Sequence, residues 1–181
     1  IITLGDFLHH DAYAATTQSG HNLDSDRNYP QMVEVAMRVL RYLVTAALGK
    51  HTSVTLTVQQ GNHDPSSTVF LREAFNHIYM DEPRLTVDTT PRPFSVQKFG
   101  NVMLCSHHGD KVKAGSVALP MLFATDHPEM WGSTKYRVCY TGHVHHAQTI
   151  LKEHSGMTTE SVQILAPKDY YAMSGGWRSL Q

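Results

Sequence analysis

The 181-residue chain is 41% hydrophobic and 17% charged, with a formal charge of −1 when histidine is neutral. This composition excludes a disordered or low-complexity polypeptide and lacks the basic excess common among nucleic-acid binders. No apolar run reaches the roughly 20 residues that span a bilayer, and the opening Ile1-Ile2-Thr3-Leu4 lacks the basic flank of a secretory signal. The length suits one compact domain over residues 1–181. Cys105 and Cys139 each lie within an apolar run and read as reduced core residues, pointing to a cytoplasmic setting without a disulfide framework. The compositional outlier is histidine, with 13 residues; histidine is the commonest metal ligand and a frequent acid–base group.

The predicted elements run as follows. Ile1 to Leu4 reads as a buried strand entering a Gly-Asp turn, and residues 11–29 as a long polar loop, a type that is often functional. Pro30 opens a helix to Leu48, with Met32, Ala36, Val39, Leu40, Leu43 and Ala47 at helical spacing and Gly49 as its stop. Ser53 to Val58 alternates as a strand and runs into Gly61-Asn62-His63-Asp64-Pro65, after which Ser66 to Met80 forms a second helix. Strands follow at Leu85–Val87, Phe94–Lys98 and Val102–Cys105, then a helix over Ser116–Thr125 interrupted at Pro120. Strands at Arg137–Thr141, Gln148–Glu153 and Ser161–Leu165 close the fold, with Ser155-Gly156-Met157 as a hairpin turn. The pattern predicts a layered α/β domain with mixed sheets.

Four polar segments follow apolar strand-like runs: Gly5-Asp6-Phe7-Leu8-His9, Gly61-Asn62-His63-Asp64, His107-His108-Gly109-Asp110 and Gly142-His143-Val144-His145. Loops at the carboxyl ends of strands are where open α/β sheets place ligands. Asp6 offers a carboxylate able to bridge two cations, Asn62 an amide oxygen, and His108, His143 and His145 neutral nitrogens. Such oxygen and nitrogen donors without thiolate suit Mn, Fe, Zn or Ni. Each segment alone is common as a solvated turn; the ordered set points to a metal site.

This ordered set resembles the calcineurin-like metallophosphoesterase superfamily, with motifs spanning residues 5 to 146. The resemblance implies an α-β-β-α sandwich and two divalent ions, manganese foremost, held by Asp6, Asn62, His108, His143 and His145. It implies hydrolysis of a phosphate ester, nucleic acid included, by a metal-bridging hydroxide. His63 would be the catalytic group that contacts substrate and protonates the leaving oxygen, and Asp64 its orienting partner. The family's first motif, Asp-x-His on a preceding strand, is absent from these residues and is expected just upstream of Ile1. His107 competes with His108 for the third motif, and His108 is preferred because the family's ligand often directly precedes Gly.

His9 is a further catalytic candidate. Repair nucleases of the SbcD branch carry a similar Gly-Asp-x-Phe-His motif whose histidine touches the reacting phosphate; a surface histidine is the alternative. The loop with Asp11, Thr17, His21 and Asp26, together with His108-Gly109-Asp110-Lys111, resembles phosphoesterases encoded by bacteriophages and their hosts. Lys111 and Lys113 read as solvated or as steering a phosphate. Tyr170, Tyr171 and Trp177 read as packing residues, with base stacking as the alternative. The leading expectation is a phosphodiesterase or nuclease. A phosphomonoesterase or protein phosphatase of the same fold, and a non-catalytic scaffold that retains it, are the competing readings.

Overall fold

A computed structural model describes residues 1–17, 20, 22, 23, 25, 28–144 and 151–163. The chain divides into two compact units, Ile1–Arg92 and Pro93–Gln181. Among the described residues there are two sheets and four helices, an α/β architecture as the sequence predicts. No helix of the described residues is long and apolar enough to cross a membrane.

In the first unit, β1 (Ile2–Thr3), β2 (Val54–Val58) and β3 (Leu85–Val87) form a parallel sheet in that order. Parallel neighbours require crossovers, and α1 (Tyr29–Leu48) and α2 (Pro65–Ile78) supply them. Helix α1 starts where the Asn28 side-chain oxygen accepts the Gln31 N–H at 3.1 Å. That bond satisfies one of the amides a first turn leaves without an intrahelical partner. Ala36, Leu40 and Val44 recur every four residues on one face, and all three are buried. They join Leu8, Leu56, Val58, Leu71 and Phe75 in one apolar cluster, each large side chain contributing about 1.5–3 kcal/mol through removal from water. Arg72 is a buried charge of this unit, only 4% exposed. Its Nε donates to the Val58 carbonyl at 2.8 Å and its Nη1 to the Thr90 carbonyl at 2.9 Å. Burial lowers its pKa, and the carboxylates of Asp88 and Asp64 oppose that shift. Arg72 therefore ties α2 to the carboxyl end of β2, beside the segment that carries Asn62, His63 and Asp64.

The second unit contains β4 (Phe94–Phe99), β5 (Val102–His107), α3 (Ala118–Asp126), α4 (Pro128–Ser133), β6 (Tyr136–Thr141), β7 (Leu151–His154) and β8 (Met157–Ser161). They build a mixed sheet of order β4-β5-β6-β8-β7. The β5–β6 and β6–β8 pairs are parallel; the β4–β5 and β7–β8 pairs are antiparallel hairpins. Between β7 and β8 stand only Ser155 and Gly156, with φ of +50° and +79°. Left-handed backbone at both turn positions is the type I′ geometry whose twist matches that of the strands. The core joins Met103, Cys105, Leu119, Phe123, Cys139 and Met157, with Cys105 directly across from Cys139 on the neighbouring strand.

Two expectations are corrected and one element is new. Helix α3 runs unbroken through Pro120, because proline in a first turn removes an amide that has no helical partner. The strand expected at Ser161–Leu165 is β8 at Met157–Ser161 instead, since the two-residue turn starts it immediately after Gly156. The short helix α4 was not expected. Residues 148–150 of the Gln148–Glu153 strand, and residues 164 and 165, lie outside the described residues.

Candidate metal centre

In the first unit the segment after β1 and the segment after β2 leave one sheet edge side by side, since Thr3 pairs with Val58. Gly5 and Asp6 both adopt left-handed backbone, with φ of +87° and +51°. A non-glycine residue there is strained, and such strain concentrates at functional sites. The Asp6 carboxylate is held by the His63 backbone N–H, which donates to Oδ1 at 2.9 Å. A Cβ added at Gly61 would overlap the Asp6 backbone nitrogen and Oδ1, so only glycine allows the two loops this close.

His63 is oriented by backbone. Its Nδ1 lies 2.9 Å from the His9 carbonyl oxygen. A carbonyl only accepts, so Nδ1 carries the hydrogen and Nε2 is the nitrogen left to exchange a proton. That Nε2 faces Asp6 Oδ2 at 3.9 Å. Asp64 is fully buried; its Oδ2 accepts the Leu8 N–H and its Oδ1 the Gly61 N–H, both at 3.0 Å. Asp64 thus stitches the two loops together, and the group on Nδ1 of His63 is the His9 carbonyl, which the sequence reading did not anticipate. The His9 ring stands beside that of His63, centroids 5.8 Å apart. Asn62 is half-buried on the same segment.

In the second unit His107 pairs with Thr141, so the segments after β5 and β6 again leave adjacent parallel strands together. Gly109 and His143 are left-handed, with φ of +111° and +68°. A Cβ on Gly109 would lie 3.0 Å from the Gly142 carbonyl oxygen, and the Gly142 N–H donates to the His108 carbonyl at 2.8 Å. This close backbone pairing brings His108 Nε2 to 3.1 Å from His143 Nδ1, with the rings edge to face. Two ring nitrogens at that distance must share a proton or a cation, because facing lone pairs repel.

The adjacent histidines separate clearly. His107 is buried; its Nε2 donates to the Val112 carbonyl at 2.6 Å and its Nδ1 accepts the Gly109 N–H at 3.3 Å. Both nitrogens are thereby committed to backbone, and burial pushes the His107 pKa down, favouring the neutral ring. His107 shapes the loop, and His108 places its Nε2 beside His143.

The first unit offers a carboxylate and an amide oxygen and the second offers imidazole nitrogens, donor types that suit hard or borderline divalent cations, with no thiolate among them. Both cysteines are fully buried in the core, and burial pushes their thiols well above the ordinary range. Lys111 pairs with Asp110 at 3.1 Å. Among the residues expected at or near the site, His145, His21, Asp26, Tyr170, Tyr171 and Trp177 lie outside the described residues. Sequence reasoning missed the role of Asp11, which accepts the Ser66 and Ser67 N–H groups at 2.6 Å each. No protein-family model, curated protein or solved structure matches this chain.

Proposed function

We propose that this chain is a metal-dependent phosphoesterase of the calcineurin-like type, a phosphodiesterase or nuclease built as an α-β-β-α sandwich. In this reading Asp6, Asn62, His108, His143 and His145 hold two divalent ions, with manganese the first candidate. One observation carries it. In each unit a pair of adjacent parallel strands delivers two of the four motif segments to its carboxyl edge, and the non-glycine residue in left-handed backbone on that edge is an expected ligand, Asp6 in one and His143 in the other. Strain of this kind costs about 1–3 kcal/mol per residue and persists where the surroundings over-determine it for function.

Bound divalent ions would supply positive charge to the phosphoryl oxygens and a nucleophile at neutral pH, which answers the chain's lack of basic excess. The protein's own contribution is orientation and one proton. With Nδ1–H of His63 engaged by the His9 carbonyl, the protonated ring can release a proton to a departing ester oxygen only from Nε2, and the neutral ring that remains keeps its hydrogen bond. Asp64 holds Leu8 and Gly61 by their amides, so the distance between the Asp6 and His63 segments is fixed before substrate arrives.

The test is metal analysis of the intact protein together with hydrolysis of bis-p-nitrophenyl phosphate and of p-nitrophenyl phosphate, with His63→Ala alongside. Manganese-stimulated turnover of the diester, reduced about 10²–10⁴-fold in His63→Ala, supports the reading. Preference for the monoester moves the protein to the phosphatase class. Metal binding with neither activity would leave a scaffold or a metal-storage protein and defeat the enzyme reading.

A further inference from the structure

Helix α2 is capped in an unusual way. Its N-cap residue, Asp64, makes no side-chain cap hydrogen bond; its carboxylate instead accepts the amides of Leu8 and Gly61. The first-turn amides of Ser66 and Ser67 are taken by the two oxygens of Asp11, each at 2.6 Å and from 55 and 56 residues away in sequence. A carboxylate at a helix N-terminus accepting two amides is a charge-assisted contact aligned with the helix dipole. Partial burial alone would raise the Asp11 pKa, but the hydrogen bonds from Ser67 and Ser66 outweigh it and hold the carboxyl below its ordinary range.

The clamp lies two residues beyond His9, whose carbonyl fixes the His63 tautomer. The intervening His10 is only 1% exposed, and its Nδ1 lies 2.6 Å from the Ala12 carbonyl. The segment from residue 8 to residue 12 is thus pinned at Leu8 by Asp64, at His10 by its own turn, and at Asp11 by α2. His63 stands just before that same helix. Asp11 therefore fixes the spacing between the carbonyl at His9 and the ring at His63 from the helix side.

We propose that Asp11 is a positioning residue that keeps Nδ1–H of the His63 ring on the His9 carbonyl, leaving Nε2 as the nitrogen that exchanges a proton. The catalytic meaning of this rests on the phosphoesterase reading; the effect on the ring does not. The experiment records the imidazole nitrogen chemical shifts of His63 by two-dimensional NMR in the intact protein, in Asp11→Ala and in Phe75→Leu. The last substitution destabilises α2 from its buried face, away from the clamp, and controls for general loosening. Expected are single-tautomer shifts in the parent and in Phe75→Leu, and averaged shifts in Asp11→Ala. In the activity assay kcat of Asp11→Ala falls at least about tenfold with KM changed less than about twofold. Ring shifts unchanged in Asp11→Ala, or changed equally in Phe75→Leu, would overturn the proposal. If the parent hydrolyses no phosphate ester, the functional reading fails while the nitrogen shifts still decide the role of Asp11.

Discussion

Replacing Gly61 by alanine adds one methyl group at the point where the two loops of the first unit touch. The new Cβ would sit 2.9 Å from Asp6 Cγ and closer still to the Asp6 backbone nitrogen and Oδ1. Two of these three neighbours belong to a carboxylate already bonded to the His63 amide, and the third is main chain, so no flexible side-chain tip can swing aside. Overpacking costs about 1–3 kcal/mol, and loss of the charge-assisted bond to His63 about 1.5–3 kcal/mol. Together about 2.5–6 kcal/mol is expected, a large share of the about 5–15 kcal/mol that holds a typical domain. With a urea m-value of about 2 kcal/mol/M, the unfolding midpoint falls by about 1.3–3 M. If Asp6 is a metal ligand as proposed, its displacement lowers affinity for Mn²⁺, measured by calorimetry, by at least about 10–100-fold. Gly132→Ala is the matching control: it lies in α4, nothing stands within 4 Å of its added Cβ, and stability is expected to hold or rise by about 0.4–1 kcal/mol. A Gly61→Ala protein with an unchanged urea midpoint and unchanged Mn²⁺ affinity would refute the claim that these loops are in contact.

The two adjacent histidines are expected to fail differently. If His108 is a ligand as proposed, His108→Ala lowers metal content with little change in urea midpoint, whereas His107→Ala, which strands the Val112 carbonyl and uncovers Phe94, 4.7 Å from the ring, costs about 2–4 kcal/mol; metal analysis and unfolding curves check both. Asp64→Asn leaves one amide facing an NH₂ group in a fully buried position and is expected to destabilise by about 2–3 kcal/mol in urea unfolding. For Asp11 the folded pKa is depressed below its unfolded value of about 3.9. Its contribution is therefore fully present above that unfolded value and is lost as pH falls through the folded one. Asp11→Asn should lose about 0.5–2 kcal/mol at pH 7 and show less further loss than the parent as pH falls below about 4, read by urea unfolding at each pH. Cys105 and Cys139 should resist a thiol reagent in the folded protein at pH 8 and react once it is unfolded, since both are buried and their thiolates disfavoured.

The fold was legible where one face carries apolar side chains. Helix α1 was expected at 30–48 and lies at Tyr29–Leu48, because Pro30 and the four-residue apolar spacing agree. Strand β8 was misplaced for a physical reason: its buried positions are Met157, Thr159 and Ser161, two of them hydroxyl-bearing, so the apolar residues around Val162 drew the assignment past its true end. Helix α4 has six residues and no buried one, leaving periodicity nothing to register. Pro120 was read as a break because sequence alone does not show that it falls in a first turn.

Sequence picks out candidate side chains at the candidate site, but not the side-chain-to-backbone contacts that surround them. Motif order singles out Asp6, His63 and His143, since chemistry restricts which residue types can serve. It carries no signal that the Nδ1 partner of His63 is a main-chain carbonyl, which every residue possesses, or that the cap of α2 comes from Asp11, 55 residues away from Ser66. The same blindness explains the ambiguity between His107 and His108. Both are histidines at a strand end, and only the placement of the Val112 carbonyl and the Gly109 amide decides which ring is consumed by structure. The groups that tune this site are therefore largely main-chain atoms, so substitutions at His9 should act more gently than substitutions at Asp11 or Asp64. His9→Ala keeps the carbonyl that orients His63 and removes only the neighbouring ring. If His9→Ala collapses the His63 tautomer as fully as Asp11→Ala, orientation comes through the ring of His9 and not through its backbone.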